Sequence, residues 1–198
     1  MKKFLKIFAL GLGILIFSVA CKSADDGAIE ALLLDDAYTF LTTKDSGTLK
    51  KGDLISLSFD EDVEMSLGHK YRIKIAEGLR ESYPYQGSGE EVLEDLGPGV
   101  EKINLDQAIA IKEYLSDQAT IIDVRTPGEY QGGHLPGAIN IPVDNLANDI
   151  REDMDQVIVV YCKSGRRSKA ASEILEDLGY QVVLDGGGIS SYKGQVEK

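Results

Sequence analysis

The chain has 198 residues, 27% charged and 43% hydrophobic, with a formal net charge of −12. These fractions describe one or two globular domains and exclude disorder throughout. The first twenty residues hold three lysines and no acid, leaving 18 basic against 33 acidic side chains beyond them. That surface repels nucleic acid and anionic headgroups, which excludes a nucleic-acid role.

Met1 to Lys6 is a basic opening, and Ile7 to Val19 is an apolar run too short for a comfortable transmembrane helix of roughly 20 residues. It ends at Ser18-Val19-Ala20-Cys21. This arrangement resembles the signal and lipobox of bacterial lipoproteins, although Ser18 stands where that family favours leucine. The resemblance implies a signal over 1–20, lipid on Cys21 and a protein held on the outer face of the cell membrane. Several acyl chains on one residue make a lasting anchor. The alternative is an ordinary secretory signal with a cysteine near its cleavage site; both place the mature protein outside the cytoplasm. Lys22 is not the aspartate associated with inner-membrane retention.

Residues 21–86 read as a tether followed by a small, mostly β region. Ala28 to Leu34 is short and apolar and fits a helix, Thr48 to Asp53 a turn. Leu54 to Phe59 and Tyr71 to Ile75 alternate with period two and predict half-buried strands. Asp60 to Asp62 and Gly68-His69 read as turns, with His69 exposed. The Glu81-Ser82-Tyr83-Pro84 stretch after a strand is similar to the end of a small β-barrel domain of secreted proteins from Gram-positive bacteria. The region reads as an antiparallel β unit acting as a spacer or partner surface. Residues 87–100, rich in turn formers and acid, predict a linker.

Beyond residue 100 strands and helices alternate. Asp106 to Leu115 is a helix with Asp106 as candidate N-cap, and Ala119 to Val124 a buried strand. Thr126-Pro127-Gly128-Glu129 starts a helix through a capping threonine, a proline at the first position and a glutamate three residues on. His134-Leu135-Pro136-Gly137 is a turn, Ala138 to Ile141 a short strand and Leu146 to Ile150 a helix. Gln156 to Tyr161 is a central strand, Ser168 to Leu178 an amphipathic helix ended by Gly179, and Gln181 to Leu184 the last strand. The alternation predicts a parallel α/β sheet, with the site outside the carboxyl end of a strand.

Cys162 falls at that position. The β-branched run Val157 to Val160 leads into it, and a helix starts a few residues later, so backbone N–H groups and the positive helix end converge on the sulfur. A thiol so placed is a thiolate nucleophile near neutral pH. Lys163, Arg166 and Arg167 crowd around it in an otherwise acidic chain. His69 and His134 lack metal-ligand spacing, so neither metal nor cofactor is expected.

Asp123-Val124-Arg125, Gly133-His134-Leu135-Pro136-Gly137-Ala138, Tyr161 to Ser168 and Leu184-Asp185-Gly186-Gly187 together resemble a single-domain rhodanese over residues 101–198. Tyr192 departs from the family, which more often has tryptophan there. The resemblance implies a rhodanese-like parallel sheet with helices on both faces and sulfurtransferase activity. It makes Cys162 the nucleophile and persulfide carrier. The loop of Lys163, Ser164, Gly165, Arg166, Arg167 and Ser168 binds the substrate, with its amides aimed at the anion. Arg167 braces loop or anion; Lys163 and Arg166 lie at the rim. Asp123 and Arg125 are supporting residues that tie the motif strand to its neighbours, and His134 is a turn residue, not a base. The expected partners are a small sulfur-containing anion or persulfide donor, a thiol or cyanide acceptor, and the membrane through Cys21. A carrier that loads sulfur for a partner protein is the second reading. Rhodanese-like phosphatases and arsenate reductases have a loop one residue longer than the six residues from Cys162 to Arg167, and rank lower.

Overall fold

The computed structural model describes residues 27–198, and the expected signal and Cys21 lie outside them. Five strands form a closed barrel: β1 (Ala28–Leu33), β2 (Thr39–Thr42), β3 (Leu54–Ser58), β4 (His69–Ile75) and β5 (Tyr85–Pro98). Their order around the barrel is β1-β2-β3-β5-β4, closed by β4 on β1. All pairs are antiparallel except β3 with β5, which is parallel. The expected purely antiparallel unit is thus corrected to a mixed barrel.

Ile29, Ala31, Leu33, Phe40, Ile55, Leu57, Tyr71 and Ile73 fill the barrel interior. Leu32, Leu34, Leu41 and Leu54 belong instead to a cluster shared with the carboxy-terminal domain. Because the second half of β1 is covered on both sides, Ala31 to Leu34 is an unbroken apolar run, and the helix expected over 28–34 is a strand. The expected linker over 87–100 is also corrected, since most of it is the fourteen-residue β5. Gly87 and Gly89 serve close packing: a Cβ on Gly89 would sit 2.1 Å from the Phe59 ring. His69 opens β4, half-buried, with Nδ1 3.0 Å from both carboxylate oxygens of Asp95, and is not a free turn residue.

The second domain is a parallel five-stranded sheet of β6 (Glu101–Lys102), β7 (Ala119–Asp123), β8 (Ile139–Asn140), β9 (Val157–Cys162) and β10 (Val182–Gly188), in the order β6-β10-β9-β7-β8. α1 (Leu105–Leu115) packs on one face. α3 (Leu146–Asp149) and α4 (Arg166–Asp177) cover the other, and α2 (Pro127–Gln131) follows β7. The expected α/β architecture is observed. α1 is capped by Asn104 rather than Asp106: the Asn104 side chain accepts from Gln107 N–H and the Gln107 side chain accepts from Asn104 N–H, a reciprocal box. α2 begins as expected, with Thr126 and Glu129 capping each other.

The two domains share one seam. Gln107 Nε2 donates to the Lys51 carbonyl at 3.0 Å, and the Lys51 ammonium pairs with Glu101. Gly68 backs so closely on the Gln181 carbonyl that a Cβ there would lie 1.7 Å from its oxygen.

Candidate active site

All six residues of β9 are buried, which is why its sequence is an unbroken apolar run and not an alternation. The strand delivers Cys162 to the carboxyl edge at the centre of the sheet, with the residue 1% exposed. Gly165, at φ +93°, then turns the chain in a left-handed conformation that a residue with a side chain adopts only under strain. α4 starts at the next residue, and the Gly165 carbonyl accepts from Lys169 N–H (3.1 Å) and Ser168 Oγ (3.0 Å). The loop is pressed against the end of β10. A Cβ on Gly188 would meet Ser164 Cα at 2.7 Å and the Lys163 carbonyl oxygen at 2.8 Å, so only glycine fits. Ser190 N–H donates to that same Lys163 carbonyl at 3.0 Å.

Gly165 N–H donates to Cys162 Sγ at 3.1 Å. Burial pushes the thiol pKa up, but the backbone N–H groups of Ser168, Ser164, Gly165 and Arg167 outweigh it and hold the group below its ordinary value. Of the expected Lys163–Ser168 donors these four act on the sulfur. Such a nest of fixed dipoles favours an anion without any reorganisation at the moment of reaction.

Arg167 braces the loop. Its Nη1 and Nη2 donate to the Glu129 carboxylate at 2.7 and 2.9 Å. The guanidinium lowers the Glu129 pKa to about 2. The same carboxylate accepts from Thr126 N–H and Oγ1, both at 3.1 Å, so one group caps α2 and fastens the loop to it. The sequence shows Glu129 only as a capping residue. Its second partner lies 38 residues away, and no local pattern reports it.

Lys163 and Arg166 are exposed and form no ion pair among the described residues. Asp123 and Arg125 stand apart from the sulfur's donors as a buried pair, with Arg125 Nε 2.9 Å from both carboxylate oxygens and Nη2 donating to the Gly133 carbonyl at 2.7 Å. Asn140 Nδ2 donates to the carbonyls of Asp123 (2.8 Å) and Arg125 (2.9 Å), which ties the end of β7 to β8. His134 is stacked on Tyr130 with ring centroids 3.7 Å apart, and its Nδ1 lies 3.1 Å from the Tyr130 carbonyl. Tyr192 packs, partly buried, against the shared cluster. Among the described residues no group of three or more His, Cys, Asp or Glu could hold a metal.

A parallel sheet whose central strand ends in a cysteine cradled by backbone N–H groups at the start of the next helix defines an α/β domain built around that sulfur. Residues 107–195 match the family described as "Rhodanese-like domain". Thiosulfate sulfurtransferase PspE of Escherichia coli is 44% identical over 71 residues, 34% of this chain and 68% of that protein. The putative sulfur carrier protein YrkF of Bacillus subtilis is 30% identical over 155 residues, 73% of this chain and 82% of that protein. A solved rhodanese with anions from E. coli is 38% identical, covering 40% of this chain and 98% of its own, at a TM-score of 0.38. The chain belongs to the rhodanese family of sulfurtransferases.

Proposed function

We propose that this protein is an enzyme that moves a sulfane sulfur through a persulfide on Cys162. The observation that carries the reading is the nest of Ser164, Gly165, Arg167 and Ser168 amides acting on one buried sulfur. The Cys162 thiolate attacks the outer sulfur of a thiosulfate-like donor, the sulfur–sulfur bond of the donor breaks, and sulfite leaves with the electron pair. The terminal persulfide sulfur is anionic and sits among the same amides. A thiolate or cyanide then attacks it, taking the sulfur as persulfide or thiocyanate and returning the Cys162 thiolate. Lys163 and Arg166, exposed at the rim, draw anions toward the loop, and Arg167 shapes it through Glu129.

We further propose that the protein acts on the outer face of the cell membrane, held by lipid on Cys21. The basic opening, short apolar run and terminal cysteine of the first 21 residues support this. Flotation of the full chain with membranes, lost in Cys21→Ala, tests it.

A second reading has support of its own. YrkF, matched over most of this chain, bears the name of a sulfur carrier. A carrier would load once and wait for its partner. Incubation with thiosulfate, followed by intact mass, should show one added sulfur in the native chain and none in Cys162→Ser. Saturable turnover with cyanide or a small thiol marks the enzyme, and loading without turnover marks the carrier. Failure to load from any donor would remove both. Robust hydrolysis of an aryl phosphate would instead favour a phosphatase, which the six-residue loop from Cys162 to Arg167 argues against.

A further inference from the structure

Arg167 serves two anionic groups at once. Its Nη1 and Nη2 donate to the Glu129 carboxylate at 2.7 and 2.9 Å, and the Cys162 sulfur is its other charged partner. Both raise the guanidinium pKa against the opposing effect of burial, Glu129 more strongly than Cys162. The cation nearest the reactive sulfur is therefore already matched by a carboxylate. That carboxylate stays ionised through the neutral range, because Arg167 first and then Thr126 lower its pKa to about 2.

The surroundings do not restore the lost charge. Arg125, just beyond β7, is closed on Asp123, with Nε 2.9 Å from both carboxylate oxygens. β10, whose Gly187 packs on Gly165, contributes an acid: Asp185 is 5% exposed and its Oδ1 accepts from Gly187 N–H at 3.0 Å. Lys163 and Arg166 are exposed, and salt at 0.1 M screens an exposed charge beyond about 10 Å. A donor inside the loop thus meets uncharged N–H dipoles, the sulfur anion and the Arg167–Glu129 pair. Thiolate, guanidinium and carboxylate together leave a net negative charge, which a dianion feels twice as strongly as a monoanion.

We infer that Glu129, acting through Arg167, sets the charge of the sulfur donor. The site takes a sulfane donor with at most one negative charge at its sulfur end, an organic thiosulfonate or a hydropersulfide, in preference to the dianion thiosulfate. The inference rests on the persulfide-forming reading of Cys162 above and narrows its donor. The Cys162 thiolate bonds to the outer sulfur, the donor's sulfur–sulfur bond breaks, and a sulfinate or thiolate leaves with the electron pair. The proton of a hydropersulfide stays on the transferred sulfur. Glu129 is a positioning residue in this scheme, since it reaches the sulfur only through Arg167.

The test compares thiosulfate with methanethiosulfonate, which carry the same outer sulfur on a tetrahedral sulfur and differ by one charge. The readout is the rate of sulfur loading on Cys162 in the full chain, by quenching and intact mass, and it needs no acceptor. The thiosulfate-to-thiosulfonate rate ratio is compared between variants, so the intrinsic reactivities of the donors cancel. Glu129→Gln removes a negative charge and keeps an oxygen for Thr126 N–H; its ratio should rise about fivefold, the order expected for one charge at close range in a half-exposed site. Arg167→Gln removes the positive charge and should lower the ratio by a similar factor. Glu129→Asp keeps the charge and should stay within about twofold of the native ratio. A merely loosened loop would slow both donors alike. Unchanged ratios, shifts of the same sign in the two Gln variants, or an Asp variant that shifts like Glu129→Gln overturn the proposal, as does loss of loading from both donors in Glu129→Gln. A native chain that loads from neither probe nor from a hydropersulfide removes the persulfide reading itself, whereas a native chain that loads with ratios unmoved by the variants removes the donor assignment alone.

Discussion

The barrel over Ala28–Pro98 and the sheet over Glu101–Gly188 are packed on a common cluster, yet they are organised by different kinds of information. In the sheet domain the reactive group and most of the groups that act on it come from one short stretch, Cys162 to Ser168, and its helix starts carry their caps within three residues. In the barrel closure depends on partners far apart, such as the parallel pairing of Ile55 with Tyr85. Its outward leucines, Leu32, Leu41 and Leu54, are complete only when the sheet domain covers them. The barrel is therefore a wall of the sheet domain rather than a separate module on a string.

The largest expected effect is on the chemistry. Cys162→Ser should abolish sulfur loading and turnover while leaving the fold intact, as checked by intact mass and circular dichroism. Retained loading would move the reactive group elsewhere.

The shared wall comes next. Leu41→Ala removes a fully buried side chain at the seam, and about 2–5 kcal/mol of stability should go with it. Residues of both domains should unfold in one transition, followed by site-specific fluorescence on each. Two separated transitions in the native chain would make the domains independent.

Gly188→Ala tests the loop itself. The added methyl collides with Ser164 Cα and the Lys163 carbonyl, so backbone must shift, at about 1–3 kcal/mol. The displaced amides should raise the thiol pKa and cut sulfur transfer by about tenfold or more, since each fixed donor to a reacting anion is worth that much. An unchanged pKa would detach the nest from the acidity of Cys162.

Glu129→Gln is the smallest of the four. The partly exposed, bidentate link to Arg167 should be worth about 1 kcal/mol. Because the Glu129 carboxyl is lowered in the fold to about 2 from the usual 4.5, its contribution is present above about pH 4.5 and lost as pH falls toward 2. Acid unfolding of the native chain should therefore show a stability loss in that window which is reduced in Glu129→Gln.

The sequence makes the sheet domain legible because its signals are local. A β-branched strand entering Cys162, the Thr126–Glu129 box and the amphipathic helix after Ser168 each report their own structure within a few residues. α4 begins two residues earlier than its apolar face suggests, because Gly165, not a polar cap, ends the loop. Asn104 and Asp106 are both good caps for α1, and the reciprocal bond with Gln107 decides for Asn104. The barrel is less readable for physical reasons. The second half of β1 is buried on both sides and loses the alternation that marks a strand, while β5 is so exposed and glycine-rich that it imitates a linker. At the site, Glu129 is visible only as a cap, since its bond to Arg167 joins two elements that the fold alone brings together.

Backbone dipoles at the start of α4 lower the Cys162 pKa against the opposing cost of burying the sulfur. The most direct measurement is the pH dependence of Cys162 alkylation in the native chain. The account predicts an apparent pKa below that of a free thiol, about 8.5, rising in Gly188→Ala. A value at or above the free-thiol value in the native chain would contradict it.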